Sequence, residues 1–398
     1  MGQIVSFLNS PLHVIRFQYL CGVPYTKEEL AGHVSKKVSS IGNGPIAKNG
    51  KVRHRQQTCD TSDHTEEEEA TQPVSGYFVF DLMFRFCSGL GGELFYITFL
   101  PFCCWNVDFW LIRRCIWLWV VTMYVGQAMK DIFKRPRPPK PVKRLETWFD
   151  NEYGFPSTHA IVAACIPYGL WYLALNRYQF PSDVAFVIAS VWCALVCISR
   201  LYLGIHTILD ILAGCFIAVS LLYTSSWLMD SFDEFVCTHP LSPIVVVLGA
   251  VFLMVVYPRK QHVWCPARGD TAKIVGVGIG VGVGAWYIND ITTDPYIDTP
   301  FPVKIESMTI VVASILRFIL GCLLLVLVRE IFETISLKIL SRILPNDPSV
   351  FWKHQVWLEI PVRLVTYSAV GFAVLFPAPI VFQFLGHHFG IDLTVTAF

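Results

Sequence analysis

Of the chain's 398 residues, 54% are hydrophobic and only 15% charged, where soluble domains carry roughly 25% charged residues. The net charge of +1 removes any bulk electrostatic case for a nucleic-acid partner. A mean hydropathy of +0.51 points instead to a polytopic membrane protein.

Residues 1–76 are polar and mixed, with a basic stretch (Lys36, Lys37, Lys48, Lys51, Arg53, Arg55) and the acidic run 66–69. Such a composition buries too little apolar surface to fold, so most of the segment reads as disordered. Its first 23 residues read as an interfacial amphipathic helix, with Ile4, Phe7, Leu8, Leu12, Ile15 and Leu20 around Arg16. No cleavable signal peptide of ordinary form is expected. MGQIVS fits a myristoylation pattern through Gly2 and Ser6, a short match that chance supplies often.

Apolar stretches follow at 77–103, 112–129, 159–176, 182–203, 206–228, 241–257, 273–288, 308–329 and 361–386. A span needs about 20 apolar residues, so an all-α polytopic protein with about nine transmembrane helices is expected. Residues 77–228 carry every polar cluster described below, and 229–398 add helices to the same membrane domain. The run KIVGVGIGVGVGAWYI at 273–288 suits close helix packing. It lacks the strand–turn–helix context of a nucleotide loop. Most of the cysteines, such as Cys165, Cys193, Cys197, Cys215 and Cys322, lie inside apolar runs without metal-ligand spacing, and read as small buried hydrophobes. Arg268-Gly269-Asp270 sits beside a span and is not read as an adhesion tripeptide.

Three polar clusters interrupt this apolar chain: KDIFKRPRP at 130–138, PSTH at 156–159, and SRLYLGIHTILD at 199–210. The first ends a span and the second begins the next, so they share a membrane face. Two further crossings return the third cluster to that face. Lys130, Arg137 and Arg200 then supply three cations of the kind that hold phosphate oxygens. Singly, each also suits interfacial anchoring. Ser157 or Thr158 caps the following helix, whose free N–H groups form an anion site.

His206 and Asp210 are four apart at a helix start and share a face. A carboxylate there accepts the Nδ1 proton and leaves Nε2 free to attack phosphorus. His159, across the phosphorus, is the acid for a departing alkoxide and then the base for water.

The three clusters resemble the signature of the type-2 phosphatidate phosphatase superfamily: Lys, six residues, Arg-Pro; Pro-Ser-x-His; then Ser-Arg, five residues, His, three residues, Asp. Here it is carried by Lys130, Arg137-Pro138, Pro156-Ser157-Thr158-His159, Ser199-Arg200, His206 and Asp210, with Thr158 where glycine is common. RFQYLCGV, GGELFYITFLPF, MYVGQAMKDIFKRPRPP, EYGFPSTHA and RGDTAKIVG look like the sphingosine-1-phosphate phosphatases.

The resemblance implies a histidine-phosphatase helical core that removes phosphate from sphingosine 1-phosphate and dihydrosphingosine 1-phosphate, without metal or other cofactor, in the endoplasmic reticulum membrane. His206 would be the nucleophile, His159 the acid and Asp210 the orienting partner. Lys130, Arg137, Ser157, Thr158 and Arg200 would bind the phosphate of a single-chain sphingoid lipid. A phosphatase for another lipid or sugar phosphate is the alternative.

The family implies a lumenal site. The positive-inside rule argues the reverse, since loops on that side carry the basic residues of 130–144, Arg259, Lys260, Arg268, Lys338, Arg342 and Lys353. Asp81 and Arg85 are spaced to pair with each other. Glu93 is either a structural contact or the partner of the substrate's ammonium.

Overall fold

The structure, a computed structural model, describes residues 2–26, 29, 76–146, 152–175, 177–258, 266–288, 299–300, 308–344, 352, 355–389 and 392–393. The basic and acidic runs between 36 and 69, the disorder expected there, and Arg259, Lys260 and Lys353 lie outside the described residues.

The chain opens with two short helices, α1 (Gly2–Leu8) and α2 (Pro11–Leu20), not the single interfacial helix expected. Pro11 has no N–H to continue α1 and starts α2 instead. Val14, Ile15 and Gln18 of α2 are buried. The Gln18 amide donates to Tyr202 O at 2.7 Å and to Lys143 O at 2.6 Å, so this segment is packed onto the bundle.

The stretch expected as one span at 77–103 is two helices, α3 (Phe78–Gly89) and α4 (Glu93–Asn106), bent by 58°. Leu90-Gly91-Gly92 interrupts them. Asp81 and Arg85 pair at 2.8 Å, as their spacing suggested. Tyr202 donates to Asp81 at 3.0 Å and Arg200 donates to Ser88, so α3 lies against the last turn of α7.

The remaining helices are α5 (Phe109–Phe133), α6 (Thr158–Leu175), α7 (Ser182–Tyr202), α8 (Ile208–Thr238), α9 (Ser242–Val256), α10 (Pro266–Ile288), α11 (Met308–Ile343), α12 (Val356–Leu375) and α13 (Pro377–Phe389). β1 (Tyr178–Gln179) and β2 (Thr299–Pro300) form a two-residue parallel pair.

Among the described residues, seven helices are long and apolar enough to span, or eight if α3 and α4 count together. The ninth expected span is α9, whose 15 residues reach only about 22 Å at 1.5 Å per residue. The last expected span breaks after Phe376, where Pro377 begins α13.

The glycine run of α10 is a packing surface, as its sequence suggested. A Cβ on Gly280 would lie 2.0 Å from Ser368 O, and one on Gly371 would lie 2.4 Å from Val277 O. The α10–α12 pair also packs on the earlier helices. A Cβ on Gly278 would lie 3.2 Å from Val120 of α5.

At the end of the bundle where α5 begins and α8 finishes, Arg113 and Arg114 hold Asp233 at 2.8 and 3.0 Å. Arg177 holds Asp108 nearby at 2.6 Å. The opposite end gathers the three polar clusters.

Candidate active site

α5 runs to Phe133 and stops on Lys134, whose φ of 50° is left-handed and whose N–H caps Lys130 O at 3.0 Å. Pro136 and Pro138 then deny the segment a helix. Lys130 and Arg137 are 2% and 5% exposed. Lys130 Nζ meets Glu152 Oε2 at 2.9 Å, and Arg137 Nη2 lies 3.8 Å from the same oxygen. Arg137 also donates from Nε to Glu152 O at 3.2 Å and from Nη1 to Ile205 O at 3.1 Å.

The backbone of 154–157 fastens the clusters together. Gly154 N–H donates to Arg135 O at 2.8 Å, and Ser157 N–H donates to Asp210 O at 3.1 Å. Ser157, fully buried, receives Ala160 N–H on its Oγ at 3.4 Å, so it caps α6. Thr158 turns its methyl toward Gly126 of α5, where an added Cβ would be 3.3 Å away.

His159 lies in the first turn of α6 under the α3–α4 break. A Cβ on Gly91 would stand 3.1 Å from His159 Cδ2 and 2.6 Å from Val196 Cγ1, so the close approach requires glycine. His159 is within electrostatic reach of Arg200, His206, Lys130 and Arg137.

His206 precedes α8 and is 1% exposed. Its Nδ1 lies 2.8 Å from Gly154 O. A carbonyl only accepts, so Nδ1 carries the proton and Nε2 keeps its lone pair. Asp210 stands 3.8 Å from the same nitrogen, beyond hydrogen-bond range. The expectation that Asp210 takes the Nδ1 proton is therefore corrected: the Gly154 carbonyl is the acceptor.

The Asp210 carboxylate instead receives Thr207 N–H at 2.7 Å, closing a capping box with Thr207 at the start of α8. Burial first, then the charges of Arg137, Arg200 and Lys130, hold the His206 pKa well below its ordinary 6.5. The imidazole is neutral at pH 7.

Arg200, 1% exposed, also lies 3.8 Å from Glu146. Lys130, Arg137, Ser157, Arg200 and His206 thus share one end of the bundle with His159 and Asp210. Sequence reasoning missed Glu152, whose side chain is 8% exposed and bound to two of the three cations. Burial raises its carboxyl, but Lys130, Arg137 and Arg200 outweigh burial and hold it below the usual carboxylate range. The signal available was its place in NEYGF, just ahead of the PSTH cluster.

Glu93 pairs into a neighbouring charge network and is within electrostatic reach of Glu152. Its Oε1 is 3.9 Å from Lys273, which pairs at 2.7 Å with Asp270. Asp270 pairs in turn with Arg363 at 3.1 Å.

An apolar groove of about 400 Å³ runs between α4, α5, α6 and α7, lined by Phe99, Ile166, Leu170, Ile188 and Trp192 among others. Trp192 is one turn from Val196, which packs near Gly91 and His159. A larger cleft of about 1230 Å³ between α9 and α12 is lined by none of the candidate site residues. Among the described residues, the one His, Cys, Asp or Glu group able to share an ion is Cys193, Cys197 and Cys215, with sulfurs within 4.8 Å. It lies within α7 and α8 and includes none of the candidate site residues.

Residues 113–234 match the PAP2 superfamily. Sphingosine-1-phosphate phosphatase 2 of Mus musculus is 37% identical over 346 residues, covering 84% of this chain and 96% of that protein. Sphingosine-1-phosphate phosphatase 1 of Rattus norvegicus is 35% identical over 314 residues, covering 77% and 73%. A dihydrosphingosine 1-phosphate phosphatase of Schizosaccharomyces pombe is 23% identical over 343 residues, covering 76% and 83%.

Proposed function

The chain belongs to the sphingosine-1-phosphate phosphatase family within the PAP2 superfamily, and from that premise we propose that it hydrolyses sphingosine 1-phosphate and dihydrosphingosine 1-phosphate. The products are the sphingoid base and phosphate. One observation carries the mechanism: a neutral His206, its Nδ1 proton committed to Gly154 O, stands among buried Lys130, Arg137 and Arg200.

Nε2 of His206 attacks phosphorus, and the bond from phosphorus to the lipid oxygen breaks. The electron pair leaves on that oxygen, which takes a proton from His159. Water then attacks the phospho-histidine, gives a proton back to His159, and frees phosphate. Lys130, Arg137 and Arg200 stabilise the charge on the transferring group. Ser157, Thr158 and the first-turn amides of α6 add the N-terminal end of a helix. The groove below His159 accepts a single alkyl chain. The proposal includes the endoplasmic reticulum membrane as location and the lumen as the side of the site.

The test is phosphate release by the protein purified in detergent with EDTA, from sphingosine 1-phosphate, with phosphatidate as competitor. Release that resists EDTA, disappears in His206→Ala and ignores phosphatidate supports the proposal. Persistent activity in His206→Ala refutes the nucleophile, inhibition by EDTA refutes the metal-independent mechanism, and strong competition by phosphatidate refutes the substrate.

A further inference from the structure

We propose that Glu152 selects for a phosphate ester that carries its own ammonium group. The proposal rests on the phosphatase reading above and deepens it. Glu152 Oε2 lies on Lys130 at 2.9 Å and near Arg137 at 3.8 Å, so a carboxylate occupies the cations that the substrate's phosphate needs. A phosphate that takes the donors facing Glu152 displaces that carboxylate. Residue 152 itself stays in place, because its carbonyl accepts Arg137 Nε at 3.2 Å. The displaced carboxylate therefore remains beside the bound phosphate as a buried negative charge.

Charge balance decides which esters tolerate this. Lys130, Arg137 and Arg200 carry three positive charges against the Glu152, Glu146 and Asp210 carboxylates, so the free site is close to neutral. A phosphate monoester brings close to two negative charges and drives the buried site negative. A 2-amino phosphate brings about one negative charge fewer and sets its ammonium beside the freed carboxylate. Buried uncompensated charge is costly, so Glu152 penalises esters without the amine. In the free site the three cations hold its pKa down and keep it ionised; once phosphate has displaced it, the substrate's ammonium is the cation that takes their place. Glu93 lacks this position: its nearest cation is Lys273, in the network of α10 and α12.

The experiment compares kcat/KM for sphingosine 1-phosphate and for a monoalkyl phosphate of equal chain length lacking the amine. Wild type should favour the amino ester at least tenfold. Glu152→Gln should raise kcat/KM on the monoalkyl ester and bring the ratio near one. Glu152→Asp should keep the preference, and Glu93→Gln should leave it unchanged. A preference that survives Glu152→Gln, or that disappears in Glu93→Gln instead, overturns the proposal.

A second measurement needs no variant. A long-chain amine should lower the inhibition constant of inorganic phosphate on wild type, and a long-chain alcohol should not; equal effects overturn the proposal as well. If wild type releases no phosphate from either ester, the phosphatase reading itself has failed. Activity on both esters with an unmoved ratio refutes the role of Glu152 alone.

Discussion

Asp210→Asn separates two accounts of how His206 is oriented. If the carboxylate holds the Nδ1 proton, the amide substitution destroys the productive tautomer. Where a carboxylate has that duty, as in serine proteases, the amide costs about 10⁴ in kcat. Here the proton goes to Gly154 O at 2.8 Å, and Asp210 is 3.8 Å away. The variant should keep the tautomer and lose only the charge.

Two full charges 3.8 Å apart interact by about 4 kcal/mol at an effective dielectric near 20. His206 gains roughly half a positive charge in the transition state, which leaves about 2 kcal/mol, or ~30-fold in rate. The fold should survive, because the carbonyl oxygen of the substituted amide can still accept Thr207 N–H and keep the α8 cap. Single-turnover phosphate release and thermal unfolding should be measured on the same preparation. A fall to the level of His206→Ala, with the unfolding temperature unchanged, would refute the carbonyl assignment.

Neutralising Arg137 should move the pH profile in a defined direction. The His206 pKa is lowered in the fold, so the nucleophile stays neutral below pH 6.5 and is lost only as pH falls past the depressed value. Arg137→Gln removes one of the charges that depress it, so the acid limb of kcat/KM should shift upward relative to wild type. Comparing variants on one substrate cancels the substrate's own ionisation, and an unshifted or lowered limb contradicts the assignment. Gly91→Ala should lower kcat by tenfold or more and also lower the unfolding temperature, since buried Val196 must shift. Its Cβ would meet Val196 and then His159. Val196→Ala in the same chain should recover part of the loss, and an unaffected kcat would show that the α3–α4 break does not position His159.

The polar clusters were legible because they are written in side chains at fixed spacing on an otherwise apolar chain. Crossing parity alone sent 130–138, 156–159 and 199–210 to one end, and the structure gathers them there. The glycine run of α10 was legible for a similar reason, since a bare helix face at that density serves close packing.

What escaped is of another kind. The acceptor for His206 is a main-chain carbonyl, and any residue at 154 supplies one. Glu152 stands four residues ahead of Pro156, but that spacing does not show that it meets Lys130, which only the fold of the 152–157 segment brings about. The first and last spans were misjudged because hydropathy averages over Leu90-Gly91-Gly92 and over Phe376-Pro377, where the backbone turns without losing apolar character.

The conflict over sidedness has the same physical origin. A positive-inside count weighs lysines and arginines that meet headgroups and the insertion machinery as solvated charges. At the site end, Lys130, Arg137 and Arg200 are buried. Lys143 pairs with Glu29 at 3.0 Å, and Arg268 donates to Met254 O at 3.1 Å. Each of these cations has a partner in the fold, the Lys143 pair a partly exposed one, as have Arg113, Arg114 and Arg177 at the other end. Subtracting them takes four residues from the loops counted above and three from the other end, so most of the basic surplus remains. A site built from span ends to hold a phosphate must gather cations there, whichever compartment it faces. Lys130 and Arg137 therefore report the chemistry of the pocket, while the remaining loop lysines and arginines keep their weight toward the cytoplasmic side, against the lumenal site proposed.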